Sequence, residues 1–277
     1  MNELTKAYQH CEDIIREHSK TFYKAFFLLP SEKKTAVWAV YAFCRQVDDI
    51  VDEGVQPKIE LQKFKEHFLM FLNGSLPSDN PMWLALNDVF SRYDMDVQAF
   101  HDMISGQEMD LYKTMYYTEE EVLHYSYHVA SSVGLMLLPI LAPRNKSALR
   151  QGAIALGQAM QITNILRDVG EDLARDRIYL PIKKLEKAGY TIEELEKHRV
   201  NKAFIKVWEE MAVEAERLYE LALNTIDLYP VDSRTPVKGA AYLYRAILGS
   251  IRQKNYSVFH TKHYITREEK QKILLEM

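Results

Sequence analysis

Two segments of the chain combine helical spacing with apolar side chains on nearly every face, and they limit the possible folds more than any other feature. The first covers residues 36–44 and the second residues 154–169. A helix that is apolar all round belongs in a protein interior. Polar side chains on such a helix must therefore line a cavity or be paired with another group.

The rest of the chain also has helical spacing, with apolar residues at three- and four-residue intervals and scarcely any alternation. Clusters of Gly, Pro and Asn separate the pieces. We predict helices over residues 3–18, 32–53, 58–72, 82–92, 96–113, 119–142, 147–173, 201–228 and 237–256. No long Gly/Ser-rich linker divides the 277 residues, of which 47% are hydrophobic, so one large core is expected. The sequence predicts an all-α helical bundle in a single domain, residues 1–277.

Each of the two buried helices carries a row of polar residues on one face, because the spacings are three or four residues. The row on the first helix, called here the first acidic ladder, is Tyr41, Arg45, Asp48 and Asp52. The row on the second helix, called the second acidic ladder, is Gln161, Asn164, Asp168 and Asp172. Two similar rows of carboxylates thus arise on two apolar helices.

Both ladders lie towards the C-terminal ends of their helices, where the helix dipole disfavours negative charge by roughly 0.3–1 kcal/mol per exposed group. One interpretation is a pair of solvated helix ends, terminated by Gly54 and Gly170. The repetition of the pattern on apolar helices favours a functional interpretation, in which a cation offsets the repulsion between carboxylates. Oxygen ligands suit Mg²⁺, which typically binds one or two carboxylates together with substrate phosphates.

Cationic and hydroxyl side chains near the ladders can bind an anion. Arg45 is one turn before Asp48, and Arg167 directly precedes Asp168. A guanidinium group can hold two phosphate oxygens at once. Residues 18–21 add hydroxyls, an ammonium group and amides at a helix terminus, although Ser and Thr before an apolar run are also common helix N-caps. These residues make diphosphate a plausible ligand class.

Five segments of the chain resemble the squalene/phytoene synthase family, in the order expected for it. They are residues 18–22, 41–52, 127–134, 161–172 and 177–181, which read HSKTF, YAFCRQVDDIVD, YHVASSVG, QITNILRDVGED and RIYLP. The fourth segment is the most specific, and the likeness covers nearly the whole chain. The resemblance implies the α-helical isoprenoid synthase fold, with a central apolar cavity between the two acid-bearing helices.

The resemblance also implies roles for individual residues. The metal ligands would be Asp48, Asp52, Asn164, Asp168 and Asp172. The catalytic residues would be Arg45, Asp48, Asp52, Tyr127, Asp168 and Asp172. The substrate contacts would be His18, Ser19, Lys20, Thr21, Phe22, Phe26, Tyr41, Arg45, Gln161, Arg167 and Tyr244. Ser131 is a departure, because the family commonly has glycine there, and its side chain is expected to narrow the cavity locally.

Enzymes of this family join two prenyl diphosphates head to head through a cyclopropylcarbinyl diphosphate. Two or three Mg²⁺ ions and cationic side chains would stabilise the departing diphosphate. Three bulky residues, Phe22, Phe26 and Trp38, predict a short tunnel for two farnesyl (C15) chains. The expected product is then dehydrosqualene (4,4'-diapophytoene), formed through presqualene diphosphate in carotenoid biosynthesis. The alternatives are a phytoene synthase that uses two geranylgeranyl (C20) diphosphates and a squalene synthase that uses NADPH.

NADPH is not expected as a cofactor, since no G-x-G-x-x-G motif follows a strand, and loss of a proton is expected to end the reaction. A non-catalytic assembly or scaffolding relative of the family is the non-enzyme alternative, but it would be expected to lose aspartates, and both ladders are complete. A di-iron bundle would need paired Glu-x-x-His motifs, and only Glu121 to His124 matches well.

Charge and composition indicate where the protein works. A formal net charge of −4 gives no broad positive surface, so no nucleic-acid partner is expected. Cys11 and Cys44 lie in apolar runs and suit buried thiols in a reducing cytoplasm. No export signal is visible, and the apolar run 133–142 is too short to cross a bilayer. We expect a soluble cytoplasmic protein, with peripheral membrane contact for product release and a downstream desaturase as a further partner.

Overall fold

The computed structural model describes residues 2–275 and confirms the all-α prediction. In chain order the α-helices are α1 (Glu3–His18), α2 (Lys20–Phe26), α3 (Ser31–Glu53), α4 (Pro57–Leu72), α5 (Met82–Arg92), α6 (Val97–Met109), α7 (Glu119–Ser126), α8 (Ser132–Leu141), α9 (Lys146–Arg167), α10 (Val169–Ala174), α11 (Ile182–Ala188), α12 (Ile192–Glu196), α13 (Lys202–Leu223), α14 (Val231–Gln253) and α15 (Arg267–Leu275). A π-helical turn, Tyr127–Ser131, joins α7 to α8, and a 3₁₀ turn, Ile226–Leu228, precedes α14.

The two helices that the sequence predicts to be buried, α3 and α9, form the centre of the molecule. α1, α4, α5, α6 and α8 pack around α3, while α8, α13, α14 and the π-helical turn pack around α9. Each central helix therefore has neighbours on several sides, as its apolar faces require. Among the described residues, no helix is both long and apolar enough to cross a membrane.

α9 ends at Arg167, and α10 begins at Val169, so the prediction of one helix over residues 147–173 is wrong. Two hydrogen bonds explain the break. The indole Nε1 of Trp208 donates to the carbonyl oxygen of Leu166 (3.0 Å), and the amide of Gly170 donates to the carbonyl oxygen of Val258 (3.2 Å). The bond that a continuous helix would form between residues 166 and 170 is thus replaced by bonds to other elements.

Other boundaries also differ from the prediction. The π-helical turn interrupts the predicted helix 119–142, and α14 starts at Val231, six residues earlier than expected, with Pro236 inside it. Proline removes one helical hydrogen bond, which makes it a poor marker of a boundary when it lies near the start of a helix. The short helices α2, α11 and α12, and the terminal helix α15, were not predicted.

Ser131 faces α9 and does not line the cavity described below. A side chain added to Gly157 of α9 would lie 2.4 Å from the Ser131 Cα atom, so the two backbones are in close contact. The Ser131 hydroxyl is fully buried and donates to the carbonyl oxygen of Ile154 (2.7 Å). The expectation that this serine narrows the cavity is wrong, because its hydroxyl is used to attach the π-helical turn to α9.

Candidate active site

A cavity of about 500 Å³ lies between α3 and α9 and is also lined by residues of α2, α6, α8 and α14. Carboxylates and guanidinium groups lie at the end formed by the C-termini of α3 and α9. Ala153 of α9 also lines the cavity, and it is roughly 22 Å along the helix from Asp168, at 1.5 Å per residue. Around Ala153 the lining is apolar, with Leu137, Leu141 and Val237. The cavity is therefore a long apolar pocket with a charged end.

The structure brings most of the predicted site residues to this one cavity. Those that line it are Phe22, Phe26, Tyr41, Arg45, Asp48, Asp52, Gln161, Asn164, Arg167, Asp168, Asp172 and Tyr244. Both acidic ladders thus share a single cavity, as the spacing on two buried helices predicts. The cavity is of the size typical for small-molecule sites.

The remaining predicted residues lie outside the lining. His18, Ser19, Lys20 and Thr21 form the junction between α1 and α2, and the Lys270 Nζ atom lies 3.5 Å from the Thr21 hydroxyl. Tyr127 donates its hydroxyl to Asp102 (2.9 Å) at the start of the π-helical turn, away from the cavity.

In the first acidic ladder, one arginine pairs with carboxylates on its own helix. Arg45 contacts Asp48 (Nη1 to Oδ2, 3.1 Å) and also pairs with Asp49, one turn away. Burial, together with the nearby charge of Asp52, raises the pKa of Asp48 to about 6. The 35% of the Asp48 side chain that is accessible faces the cavity, since Asp48 is one of its lining residues. The ionised form of Asp48 is therefore costly unless a further cation is present.

The second acidic ladder has a similar excess of negative charge. Arg167 holds Asp168 with two hydrogen bonds, one of them from Nε to Oδ1 at 2.8 Å and the other from Nη2 to Oδ2. Burial, followed by the charges of Asp168 and Glu171, raises the pKa of Asp172 well above its usual value. The side-chain oxygen of Asn164 is buried and has no hydrogen-bond partner. An oxygen of this kind can accept a metal ion or a donor from a ligand.

Two arginines that were not predicted as site residues connect the ladders. Arg177 donates to Asp52 (Nη1 to Oδ1, 2.7 Å), and Arg175 pairs with the other oxygen of the same carboxylate. Both arginines lie just after α10, so they join the end of the second ladder to the end of the first. Arg177 belongs to the RIYLP segment that resembles the family, but helical periodicity does not predict its contact with Asp52.

A buried acid outside the ladders also lines the cavity. Asp110 follows α6 and accepts hydrogen bonds from the hydroxyls of Tyr125 (2.7 Å) and Tyr179 (2.8 Å). Burial raises the pKa of Asp110 to about 6, although both hydroxyls and the charge of Arg177 act to lower it. The isolated bridge between Met115 and Ile178 holds the two chain segments together here. Tyr125 and Tyr179 both line the cavity, and neither was predicted.

The C-terminal strap, defined here as residues 256–266, covers the second ladder. In addition to the bond from Gly170 to Val258, Lys262 forms an ion pair with Glu171 (2.6 Å). A side chain added to Gly170 would lie 2.1 Å from the Phe259 carbonyl oxygen. Glycine is therefore required at this position because the strap lies directly against it, and a terminating role for Gly170 is excluded.

The donor set fits a hard divalent cation that binds together with a phosphate ligand. Between residues 2 and 275, no three His, Cys, Asp or Glu side chains gather closely enough to hold a metal ion by themselves. Mg²⁺ does not need such a cluster, because it keeps several waters and uses substrate phosphates as ligands. The unpartnered Asn164 oxygen and the raised pKa values of Asp48 and Asp172 are consistent with sites completed by a cation.

A long apolar pocket that carries carboxylates and guanidinium groups at one end, inside an all-α fold, fits a ligand with an apolar chain and an anionic head group. Comparison with known proteins identifies the class as a prenyltransferase. The family model described as squalene/phytoene synthase matches residues 15–269. This protein belongs to the squalene/phytoene synthase family, and its reaction type is the head-to-head condensation of prenyl diphosphates.

Individual relatives support this assignment over the full length. The chain is 36% identical to a 4,4'-diapophytoene synthase of Staphylococcus haemolyticus, over 99% of this chain and 96% of the relative. It is 37% identical to a 15-cis-phytoene synthase of Synechococcus elongatus, over 95% of this chain and 89% of the relative. A crystal structure of a dehydrosqualene synthase in complex with a ligand matches with a TM-score of 0.94 and 38% identity, covering 99% of this chain and 96% of that one. The predicted isoprenoid synthase fold is confirmed.

Proposed function

We propose that this protein is a Mg²⁺-dependent dehydrosqualene synthase. It condenses two farnesyl diphosphates to presqualene diphosphate and then to dehydrosqualene, and each of the two steps releases one diphosphate and one proton. The observation that carries the proposal is the single cavity with both acidic ladders at one end and an apolar wall that contains Phe22 and Phe26. The fold, the family and the reaction type are those of prenyl diphosphate condensation, and the wall supports the choice of the C15 substrate.

The charged end is suited to hold and release diphosphate. Bound Mg²⁺ would supply positive charge to the departing diphosphate, with Asp48, Asp52, Asn164, Asp168 and Asp172 as its protein ligands. Each ladder arginine is now paired with a carboxylate of the same ladder. When those carboxylates hold a metal ion, the guanidinium groups are free to bind phosphate oxygens, which they do bidentately.

The apolar part of the cavity protects and stabilises a carbocation. Phe22 and Phe26 are stacked, with ring centroids 5.9 Å apart, and Phe22 also contacts Tyr244 at 5.3 Å. Aromatic faces attract cations by about 0.5–2 kcal/mol each, with more when water is excluded. Exclusion of water also prevents capture of the cation as an alcohol. Phe22 lies close to the charged end, where ionisation would occur, since its neighbour Tyr244 contacts Arg167.

The choice of chain length depends on the bulk of the wall. Phe22 and Phe26 line the cavity, as the prediction of a short tunnel requires. Trp38 is buried behind the wall and stacks on Tyr23, with ring centroids 5.9 Å apart. Trp38 therefore acts on the tunnel only indirectly, and Tyr229 is a further bulky residue of the lining. This arrangement supports two C15 chains.

The second candidate function is condensation of two C20 chains to phytoene. It is favoured by one specific observation, since the identity to the Synechococcus phytoene synthase is as high as the identity to the staphylococcal enzyme. Purified protein should be incubated with Mg²⁺ and either farnesyl or geranylgeranyl diphosphate, with and without NADPH, and the hydrocarbons separated by mass. We expect dehydrosqualene from farnesyl diphosphate, unchanged by NADPH. A C40 product would reject farnesyl diphosphate as the substrate. Squalene that requires NADPH would reject loss of a proton as the last step.

A variant tests the role of the wall directly. Phe26→Ala removes an aromatic ring from the lining and is expected to increase the C40 product from geranylgeranyl diphosphate at least tenfold. Phe27→Ala is the matched control, because Phe27 is the next residue but is about half exposed and does not line the cavity. Equal product spectra from the two variants would show that Phe26 does not limit chain length. Release of no diphosphate by the wild type would favour the scaffolding alternative.

A further inference from the structure

Large apolar side chains are exposed where α2 meets α3 and where α14 begins. They are Phe27, Leu28, Leu228 and Val231, and their exposure ranges from 42% for Leu228 to 80% for Val231. The two segments lie side by side, because Lys33 at the start of α3 bonds Asp232 at the start of α14 (2.9 Å). These four residues form one surface, called here the apolar rim. Exposed apolar residues on neighbouring segments are candidates for an interaction site.

The apolar rim lies directly outside the apolar end of the cavity. Phe26 lines the cavity, and Phe27 is exposed. The same alternation occurs at the second segment, where Tyr229 lines the cavity and its neighbour Leu228 is exposed. At both places adjacent residues of one chain face opposite sides. The wall between the cavity and the apolar rim is therefore a single layer of chain.

The surroundings of the apolar rim carry positive charge. Asp232 pairs with Lys33 and Asp227 pairs with Arg234 (3.2 Å), while Glu32 is exposed at the start of α3 beside Lys33 and Lys34. Lys34 lies over the ring of Phe27, with its Nζ atom 4.4 Å from the centroid.

Two further lysines extend the positive charge along α2. Lys24 is exposed and is one turn before Phe27 and Leu28. Burial and the nearby positive charge of Lys24 both lower the pKa of Lys270, which places a third lysine beside α2. Lys24 and Lys270 thus add positive charge beside α2, which an anionic surface attracts.

A second pair of exposed apolar residues has surroundings of mixed charge. Val55 and Ile59 follow the first acidic ladder and are 92% and 65% exposed. The nearby charged groups are Glu53, Glu60 and Lys58, whose Nζ atom lies over the ring of Tyr112. Acidic and basic groups alternate here, so the region offers no concentrated positive charge to an anionic surface. Charge therefore distinguishes the apolar rim from other exposed apolar residues.

We propose that the apolar rim docks on an anionic phospholipid bilayer. Phe27, Leu28, Leu228 and Val231 enter the headgroup region, while Lys24, Lys34 and Lys270 contact lipid phosphates. Apolar side chains flanked by lysines are the combination that binds such surfaces. The benefit to catalysis rests on the proposed function, since a hydrocarbon product held behind one layer of chain would pass into lipid without crossing water.

The test is co-sedimentation of the full-length protein with vesicles. Vesicles of phosphatidylcholine alone are compared with vesicles that also contain phosphatidylglycerol. We expect binding to the anionic vesicles only, with at least about tenfold weaker partitioning for Phe27→Ser/Leu28→Ser and for Lys24→Glu/Lys34→Glu. The matched control is Val55→Ser/Ile59→Ser, which removes two exposed apolar side chains at the region of mixed charge and should bind like the wild type.

The outcomes separate docking from catalysis. Turnover of farnesyl diphosphate in detergent should be the same in Phe27→Ser/Leu28→Ser as in the wild type, because neither residue lines the cavity. If the wild type shows no turnover, the proposed function fails, while sedimentation still measures docking. Docking is overturned if the wild type does not sediment with anionic vesicles. It is also overturned if the Val55→Ser/Ile59→Ser control loses as much binding as the rim variants. It is also overturned if analytical ultracentrifugation shows that the wild type is a dimer and that only the rim variants are monomers, since the apolar rim would then be a dimer interface.

Discussion

Replacement of Asp48 by asparagine is expected to stabilise the metal-free protein while removing most of its activity. Burial and the charge of Asp52 raise the pKa of Asp48 to about 6, although Arg45 opposes the shift. The folded protein at neutral pH therefore contains an ionised carboxylate that its surroundings disfavour. Asparagine has a similar shape and no charge, so the variant avoids this cost. It also lacks a carboxylate that we propose as a metal ligand.

The size of the stabilisation follows from the rise in the pKa of Asp48. A rise of about two pK units corresponds to about 3 kcal/mol. Because 35% of the Asp48 side chain is exposed to the cavity, water screens the charge, and we expect about half of that value, or ~1.5 kcal/mol. For a protein of this size the gain would raise the melting temperature by roughly 3–5 °C.

The pH dependence has a definite sign. The pKa of Asp48 is higher in the folded protein than in the unfolded chain, so the cost is fully present above about pH 6 and disappears as the pH falls towards about 4. The stability advantage of Asp48→Asn should follow the same course.

Thermal unfolding in EDTA at several pH values measures the difference, and Mg²⁺-dependent diphosphate release measures activity. Asp49→Asn is the control, because Asp49 is on the same helix but outside the cavity lining. An Asp48→Asn protein that is less stable than the wild type at neutral pH would show that the ion pair with Arg45 outweighs burial.

The remaining predictions concern the strap, the buried tyrosines and the metal. Gly170→Ala should lower the free energy of unfolding by about 1–3 kcal/mol in urea titrations, since its Cβ would lie 2.1 Å from Phe259. Gly249→Ala, which meets nothing within 4 Å, should be neutral or stabilising by up to ~1 kcal/mol, and equal losses would reject the argument. Tyr125→Phe should lower turnover more than Tyr127→Phe, because only Tyr125 lines the cavity, and the reverse order would support Tyr127 as the catalytic residue. EDTA should abolish turnover and added Mg²⁺ should restore it; turnover that persists in EDTA would exclude a metal requirement.

The sequence was sufficient to predict that the carboxylates of both ladders line the cavity. Asp48 and Asp52 are one turn apart on α3, which is buried on its other faces. Asp168 lies at the break between α9 and α10, but the Asp172 amide donates to its carbonyl oxygen (2.9 Å), so the one-turn spacing is kept. Helical spacing decides which side chains share a face, and burial decides that this face borders a cavity. Both facts can be derived from local sequence, so both ladders were found without knowledge of the tertiary structure.

The parts that the sequence did not predict depend on contacts between distant segments. Asp110 becomes a buried acid only because Tyr125 and Tyr179 donate to it, and Tyr179 is 69 residues away in the chain. Arg177 reaches Asp52 across 125 residues. Periodicity contains no information about such pairs. The catalytic role of Tyr127 stays a prediction, since Tyr127 lies in the π-helical turn outside the cavity lining and Tyr125, two residues earlier, lines the cavity.

The charged end of the cavity explains why metal and substrate should bind together. Arg45 and Arg167 neutralise part of the two ladders, and Arg175 and Arg177 occupy both oxygens of Asp52. A free Mg²⁺ ion would have to displace these guanidinium groups and leave them without a partner, which is costly where they are partly buried. A metal–diphosphate complex would supply both partners at once, since the carboxylates would receive the cation and the arginines would receive phosphate oxygens. The energetic cost of separating each ion pair would then be offset only when the metal and the substrate are both bound.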